Sequence, residues 1–395
     1  MESSKPAARR YYRPELDAVR FLAFMLVFLH HTLPRSEDPR VEGLLKGNAP
    51  ILYASANACG FGLSLFFTLS AFLICELLLR ERGAVGTVHI KQFYIRRILR
   101  IWPLYYLGLT LGVVFALLFG GQQGDWARFG WYTIFLGAWS SVILGWIQNP
   151  VAPLWSISVE EQFYLFAPWI VNFFNRKSLY AFCAALILVA NGWLFYLGRA
   201  LASENRVWCN SFIQFECFAA GILLCLFLRG RAPSLTLWQR LALLAGAWSC
   251  WFTACYGLDC LMANSGENPG SWPLIGGFAL AALGSVLVLV AFLGVNPKFL
   301  PGWAIYLGRI SFGLYVYHDF AIHITKRIPF GHLRVIQAIP SYPLRVCLYT
   351  GLSIGLPLGL TFVAAALSYR YFETPFLKMK KRHSVIESQP IQGAS

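Results

Sequence analysis

Ten stretches of about 20 apolar residues, separated by short polar segments, limit what this chain can fold into more than any motif does. The first runs from near Asp17 to Leu33, and the others fall near 57–79, 100–119, 156–174, 178–198, 208–228, 238–257, 272–295, 304–325 and 346–369. A helix needs about 20 apolar residues to cross the hydrocarbon core of a bilayer. Only 13% of the residues are charged, about half of what a soluble domain uses to cover its surface. A soluble enzyme, a disordered chain and a disulfide scaffold are thereby excluded. The expected fold is all-α: a polytopic membrane bundle of about ten transmembrane helices. The basic start followed by Phe21–Leu33 has the pattern of a secretory signal, but no small-residue cleavage site follows, so it reads as a retained first helix.

Charge sets the expected orientation. With ten crossings, 23 of the 33 Lys and Arg fall on one side, which the positive-inside bias assigns to the cytoplasm together with both termini. The excess of +15 is thus a membrane feature rather than a nucleic-acid one. Counting residues 130–147 as a further crossing would invert everything after it, so that segment is expected to be re-entrant or interfacial, buried in protein or lining a cavity. The domain reading is a cytoplasmic segment at 1–16, a membrane domain at 17–376, and a polar, disordered cytoplasmic tail at 377–395. The ten cysteines show no metal-ligand spacing. Cys209, Cys255 and Cys260 fall near helix ends on the outer side, which leaves one disulfide open.

Ionisable residues inside spanning helices are costly, at about 3 kcal/mol each on insertion scales, and so are functional candidates. Here they are His30, His31, Glu76, Glu160, Glu161, Glu216, His318 and Asp319. Arg20 and His31 lie eleven residues apart, about 16 Å along a helix. That pairs a cation at one mouth with an imidazole suited to proton transfer near neutral pH. A carboxylate from another helix, with Glu160 the candidate, would orient the imidazole. Arg97 and Arg100 share a helix face and suit a phosphate, although lipid anchoring explains that spacing equally well. Glu76 one turn before Arg80 reads as an intrahelical pair, and His323 and His332 read as outer-loop or interfacial residues.

The strings that carry these residues fall in a recognisable order: RPELDAVRFLAFMLVFLHH, GLSLFFTLSAFLI, FYIRRILRIWPLYYL, PLWSISVEEQFYLFAPW, ISFGLYVYH and YRYFETP. The chain resembles the acyltransferase-3 family of integral membrane O-acyltransferases, from about residue 11 to 377. The resemblance implies that His31 is the essential histidine, with Glu160 at the more constant and Glu161 at the more variable glutamate position. It implies donor handling by Arg20, Arg97 and Arg100. Asp17, Ser70, Glu161, Tyr164 and His318 are further candidates along the substrate path. Ala71 stands where the family usually has Gly, and its methyl is expected to tighten packing or narrow the acyl path.

The expected function is therefore transfer of an acyl group, acetyl above all, from cytoplasmic acyl-CoA to a hydroxyl of a cell-surface or exported glycan. Acyl-CoA is a co-substrate, and no tightly bound cofactor or metal is expected. The setting is the bacterial inner membrane, with lipid, acyl-CoA and a hydroxyl acceptor as partners and the oligomeric state open. His31 would act as general base or carry the acyl group itself. The rival is a multi-helix transporter or flippase of an acylated or glycosylated small molecule, although no internal repeat of the kind such proteins show is visible.

Overall fold

The computed structural model describes residues 11–34, 49–120, 125–263, 266–328 and 341–383. Residues 1–10 of the expected N-terminal segment, His332 and the tail from 384 onward lie outside the described residues. Every regular element among the described residues is helical. In chain order they are α1 (Pro14–Thr32), α2 (Ala49–Ala58), α3 (Gly62–Val85), α4 (Ile90–Phe119), α5 (Asp125–Thr133), α6 (Gly137–Leu144), α7 (Trp155–Phe173) and α8 (Arg176–Arg199). There follow α9 (Glu204–Trp208), α10 (Ser211–Leu228), α11 (Leu237–Tyr256), α12 (Ser271–Phe292), α13 (Gly302–Arg309), α14 (Ser311–Thr325), α15 (Tyr342–Ser368) and α16 (Thr374–Lys381).

Helices stand at all ten expected positions, but among the described residues six spans are long and apolar enough to cross a membrane: 49–85, 90–119, 176–199, 211–228, 271–292 and 342–380. The count of about ten is not reproduced on that criterion, for physical reasons. The first helix carries Glu15, Asp17 and Arg20, and α7 carries Glu160 and Glu161. Trp, Gln and Arg residues dilute the apolar character of α11, and the expected 304–325 helix is broken at Ile310 into α13 and α14.

The segment 130–147 is broken too. Helices α5 and α6 have nine and eight residues, too short to cross, and they meet at Phe135, a non-glycine residue with φ of 57°. The carbonyls freed at the break are met from α4: Tyr105 donates to the Tyr132 carbonyl at 2.6 Å and Tyr106 to that of Thr133 at 3.0 Å. Irregular backbone is tolerable at such a place because protein side chains supply its hydrogen bonds.

The basic segments expected on one side do gather at one end of the bundle. Arg13 donates to the Gly230 carbonyl, Arg82 to those of Val171 and Phe174, and Arg240 to those of Ala291 and Leu293. Arg309 bonds Tyr12 at 2.9 Å, and Arg96 bonds the His383 carbonyl at 2.9 Å. Glu76 and Arg80 form the expected intrahelical pair at 2.6 Å. Helix α16 runs across the boundary drawn at 376/377 and packs on α4. A π turn at Tyr369–Glu373 redirects the chain end inward, which polar composition alone does not reveal. No disulfide joins the cysteines among the described residues.

At the centre is α1, which packs against α3, α13, α14, α12 and α15. Its buried Phe24 and Phe28 meet Ile310, Leu314, Ile322 and Ala365. The outer helices α8 and α15 present apolar side chains such as Leu188 and Val363 outward, as lipid-facing helices do. Close crossings rest on small residues: a Cβ at Gly308 would run into the backbone carbonyl of Asp17, and one at Gly221 into that of Thr68. Because neither obstacle is a flexible side chain, Gly308→Ala should cost about 1–3 kcal/mol and lower the thermal midpoint in detergent. Gly192→Ala, where a Cβ meets nothing within 4 Å, should leave that midpoint unchanged; equal midpoints for both variants would contradict the crossing.

Candidate active site

Two cavities lie along α1, one toward each end. The first, at the basic end, encloses about 1210 Å³ with its open mouth and is lined by Asp17, Arg20, Ser70, Arg97, Arg100, Glu160, Tyr164 and Lys380 among others. The second, about 900 Å³ with its mouth, is lined by His30, His31, Trp146, Trp155, Glu204, Trp208 and Asp319. Leu63 and Tyr315 line both. The partition between the cavities is therefore made of these side chains. The Tyr315 hydroxyl is held by Ser156 Oγ at 2.7 Å and the Pro153 carbonyl at 2.8 Å.

The helical repeat of α1 explains why Arg20 and His31 reach different cavities. They share roughly one face but stand three turns apart, so one helix supplies a group to each chamber. Asp17, one turn before Arg20, forms an ion pair with it at 2.5 Å, and Arg309 adds a longer contact at 3.8 Å. The Tyr12 hydroxyl also donates to Asp17, at 2.9 Å. This carboxylate is thus fully engaged, and it fixes where the Arg20 guanidinium points.

In the first cavity Tyr164 links two polar groups: its hydroxyl lies 2.9 Å from Glu160 Oε2 and 2.5 Å from Ser70 Oγ. Spacing on α7 puts Glu160 and Tyr164 one turn apart, and α3 brings Ser70 opposite. Arg97 stacks on Phe93 and Tyr164 at 5.4 and 5.3 Å. Its Nε is buried without a hydrogen-bond partner, and neither Arg97 nor Arg100 forms an ion pair among the described residues. A half-buried guanidinium pair with no direct ion pair is a site for an anion. Glu161 points elsewhere, accepting from Trp102 Nε1 at 3.2 Å. The Ala71 methyl is buried against α10, where a Cβ on Gly221 would touch it at 2.9 Å, and it does not line the cavity. Of the two expectations for Ala71, tight helix packing is the one realised.

The second cavity departs from the sequence reading. Glu160 was expected to hold His31, but it lines the arginine cavity instead. His31 Nδ1 lies 2.8 Å from the Val27 carbonyl one turn back. A proton on that nitrogen leaves the neutral ring with its lone pair on Nε2. The His318 ring lies 5.1 Å from that of His31. His318 is itself held at 2.6 Å from the Tyr315 carbonyl through Nδ1, and its Nε2 is buried without a partner. Two carboxylates share this cavity with His31, Glu204 and Asp319, and Asp319 pairs with His323 at 3.4 Å. Asp319, named in the sequence among the ionisable candidates, lines this cavity, whereas Tyr315 and the Trp146–Trp155–Trp208 group were missed as site residues. Tyr315 adjoins the His318 motif and was legible as a neighbour, whereas the tryptophans come from separate segments that only folding joins. They stand ring to ring at 6.4 and 6.3 Å.

With this geometry in view, the comparisons are informative. Residues 13–362 match the acyltransferase-3 family, described as an acyltransferase domain. The peptidoglycan O-acetyltransferase OatA of Listeria monocytogenes serovar 1/2a is 25% identical over 396 residues, covering 93% of this chain and 56% of that protein. A Staphylococcus aureus (strain MSSA476) protein, provisionally named as an O-acetyltransferase, is 23% identical over 395 residues, covering 93% of this chain and 58% of its own. A Bacillus subtilis (strain 168) protein, provisionally named as a peptidoglycan O-acetyltransferase, is 28% identical over 190 residues, covering 45% of this chain and 27% of its own. The chain thus spans a little more than half the length of the first two relatives. No solved structure matches it. The match covers most of the chain, including Arg20, His31, Arg97, Arg100 and Glu160: the chain belongs to the acyltransferase-3 family.

Proposed function

We propose that this protein is a membrane O-acyltransferase that moves an acetyl group from acyl-CoA in the arginine cavity to a glycan hydroxyl in the histidine cavity. The observation that carries this reading is the pair of cavities sharing one wall, with uncompensated guanidiniums in one and an imidazole in the other. The basic end faces the cytoplasm of a bacterial inner membrane, as the positive-inside bias favours. Arg97 and Arg100 take donor phosphates, with Arg20 held beside them by Asp17. The thioester reaches past Ser70, Tyr164 and Glu160 toward Tyr315. Sugar rings suit the second cavity because indole walls offer broad apolar faces while Glu204 and Asp319 can accept hydrogen bonds from sugar hydroxyls.

In this mechanism His31 Nε2 removes the proton of the acceptor hydroxyl, and the oxygen attacks the thioester carbonyl. The C–S bond breaks, the thiolate leaves toward the arginines, and the imidazolium returns its proton as the thiol departs. Asp319 supplies negative charge on the cavity that the imidazolium shares. The relatives' printed names, with peptidoglycan as acceptor in two of them, support a glycan acceptor.

Vesicles loaded with labelled acetyl-CoA and given a peptidoglycan-derived glycan test the scheme. His31→Ala should lower transfer by about 10²-fold or more, the scale of a lost general base; wild-type transfer by that variant would exclude the mechanism. Substrate movement without CoA release would favour a transporter instead. Replacing both Arg97 and Arg100 with Ala should raise the donor KM about tenfold, in line with lost charge-assisted bonds to phosphate. Leu63→Trp should fill the shared wall and cut kcat about tenfold with donor KM little changed, since a ~1 Å misplacement of reacting groups can already cost 10²-fold. A KM change without a kcat change would place Leu63 in donor binding rather than in the passage.

A further inference from the structure

The chain end takes a course that its polar composition hides. After α15, the π turn at Tyr369–Glu373 directs α16 across α4. Thr374 Oγ1 donates to the Tyr369 carbonyl at 2.6 Å, and Ser368 Oγ donates to Glu373 at 3.2 Å, which fixes the turn. Arg96 clamps the far end, reaching Glu81 at 3.0 Å with one nitrogen and the His383 carbonyl at 2.9 Å with another. Arg96 is therefore a tie between α3, α4 and the chain end. The result is that Lys380 lines the arginine cavity, while Lys378 on the same helix is exposed.

Among the described residues, five cations, Arg13, Arg20, Arg97, Arg100 and Lys380, line this cavity with two carboxylates, Asp17 and Glu160. Asp17 is engaged by Arg20, Arg309 and Tyr12, and Glu160 by Tyr164. The Lys380 ammonium lies in the repulsive field of Arg100, Arg97 and Arg20. A lysine wanted only for solubility or lipid anchoring would sit where Lys378 does. Concentrating like charges in a partly dry cavity is favourable when a polyanion joins them, and one phosphate monoester brings about −1.5 to −2. We propose that Lys380 is a donor-phosphate ligand, delivered by α16, that completes the anion site begun by Arg97 and Arg100. This rests on the donor reading of that cavity.

The test uses the full chain in vesicles with acetyl-CoA as donor. Lys380→Met keeps the apolar stem and removes the charge, and it should raise the donor KM about tenfold with kcat within about twofold. Lys380→Arg should recover most of the loss, which a purely structural role for the stem does not predict. An unchanged donor KM in Lys380→Met, beside a raised one in the Arg97→Ala/Arg100→Ala protein, overturns the proposal and leaves the donor site standing. Unchanged values in both remove the donor reading itself. The same comparison in phosphatidylcholine vesicles, with and without phosphatidylglycerol, separates the two sources of phosphate. An equal defect in both supports the proposal, and a defect confined to anionic vesicles assigns Lys380 to lipid headgroups and overturns it.

Discussion

The Asp17–Arg20 pair, set where α1 crosses α13 at Gly308, is the contact on which the arrangement depends. A charge in a bilayer-embedded bundle persists only if paired or lining a wet cavity. Asp17 answers Arg20, Arg309 and Tyr12 together, so it both neutralises the mouth of α1 and ties α13 to it. Only glycine at 308 lets the two backbones approach that closely. With α1 fixed in depth and rotation, Arg20 and His31 are fixed in different chambers by helix geometry alone.

From this follows a division of labour. The arginine cavity collects cations beyond what its carboxylates neutralise, and the histidine cavity collects imidazoles, indoles and a second pair of carboxylates. A hydroxyl network from Tyr315 to Ser156 keeps the wall between them in place. Such a partition suits a reaction whose two substrates come from opposite sides of a membrane, because each can bind without opening a continuous path for the other. The short helices α5 and α6, braced by Tyr105 and Tyr106, help shape this region without crossing.

Most of the helices were legible in the sequence, because apolar length is read directly from composition and the bilayer sets the required number of residues. The one-sided basic segments were legible as well, and they gather at one end as charge bias requires. Arg97 and Arg100 could be identified from their i, i+3 spacing, although spacing alone did not separate a ligand site from a lipid anchor. Their lack of ion pairs among the described residues now favours the ligand site. Lys380 was hidden because a polar, basic stretch at a chain end carries no signal for docking.

The sequence by itself determined the solvent, the helical class, the family and the candidate residues on α1, α4 and α7, since each depends on local composition or on a motif within one helix. Tertiary structure decided which of those residues meet. Glu160 turns to Tyr164 and Ser70 beside the arginines, and His31 turns to His318 in the cavity that holds Asp319. The reason is geometric: an α-helix fixes neighbours three and four residues apart, but helix crossing and rotation decide what faces a side chain from another helix.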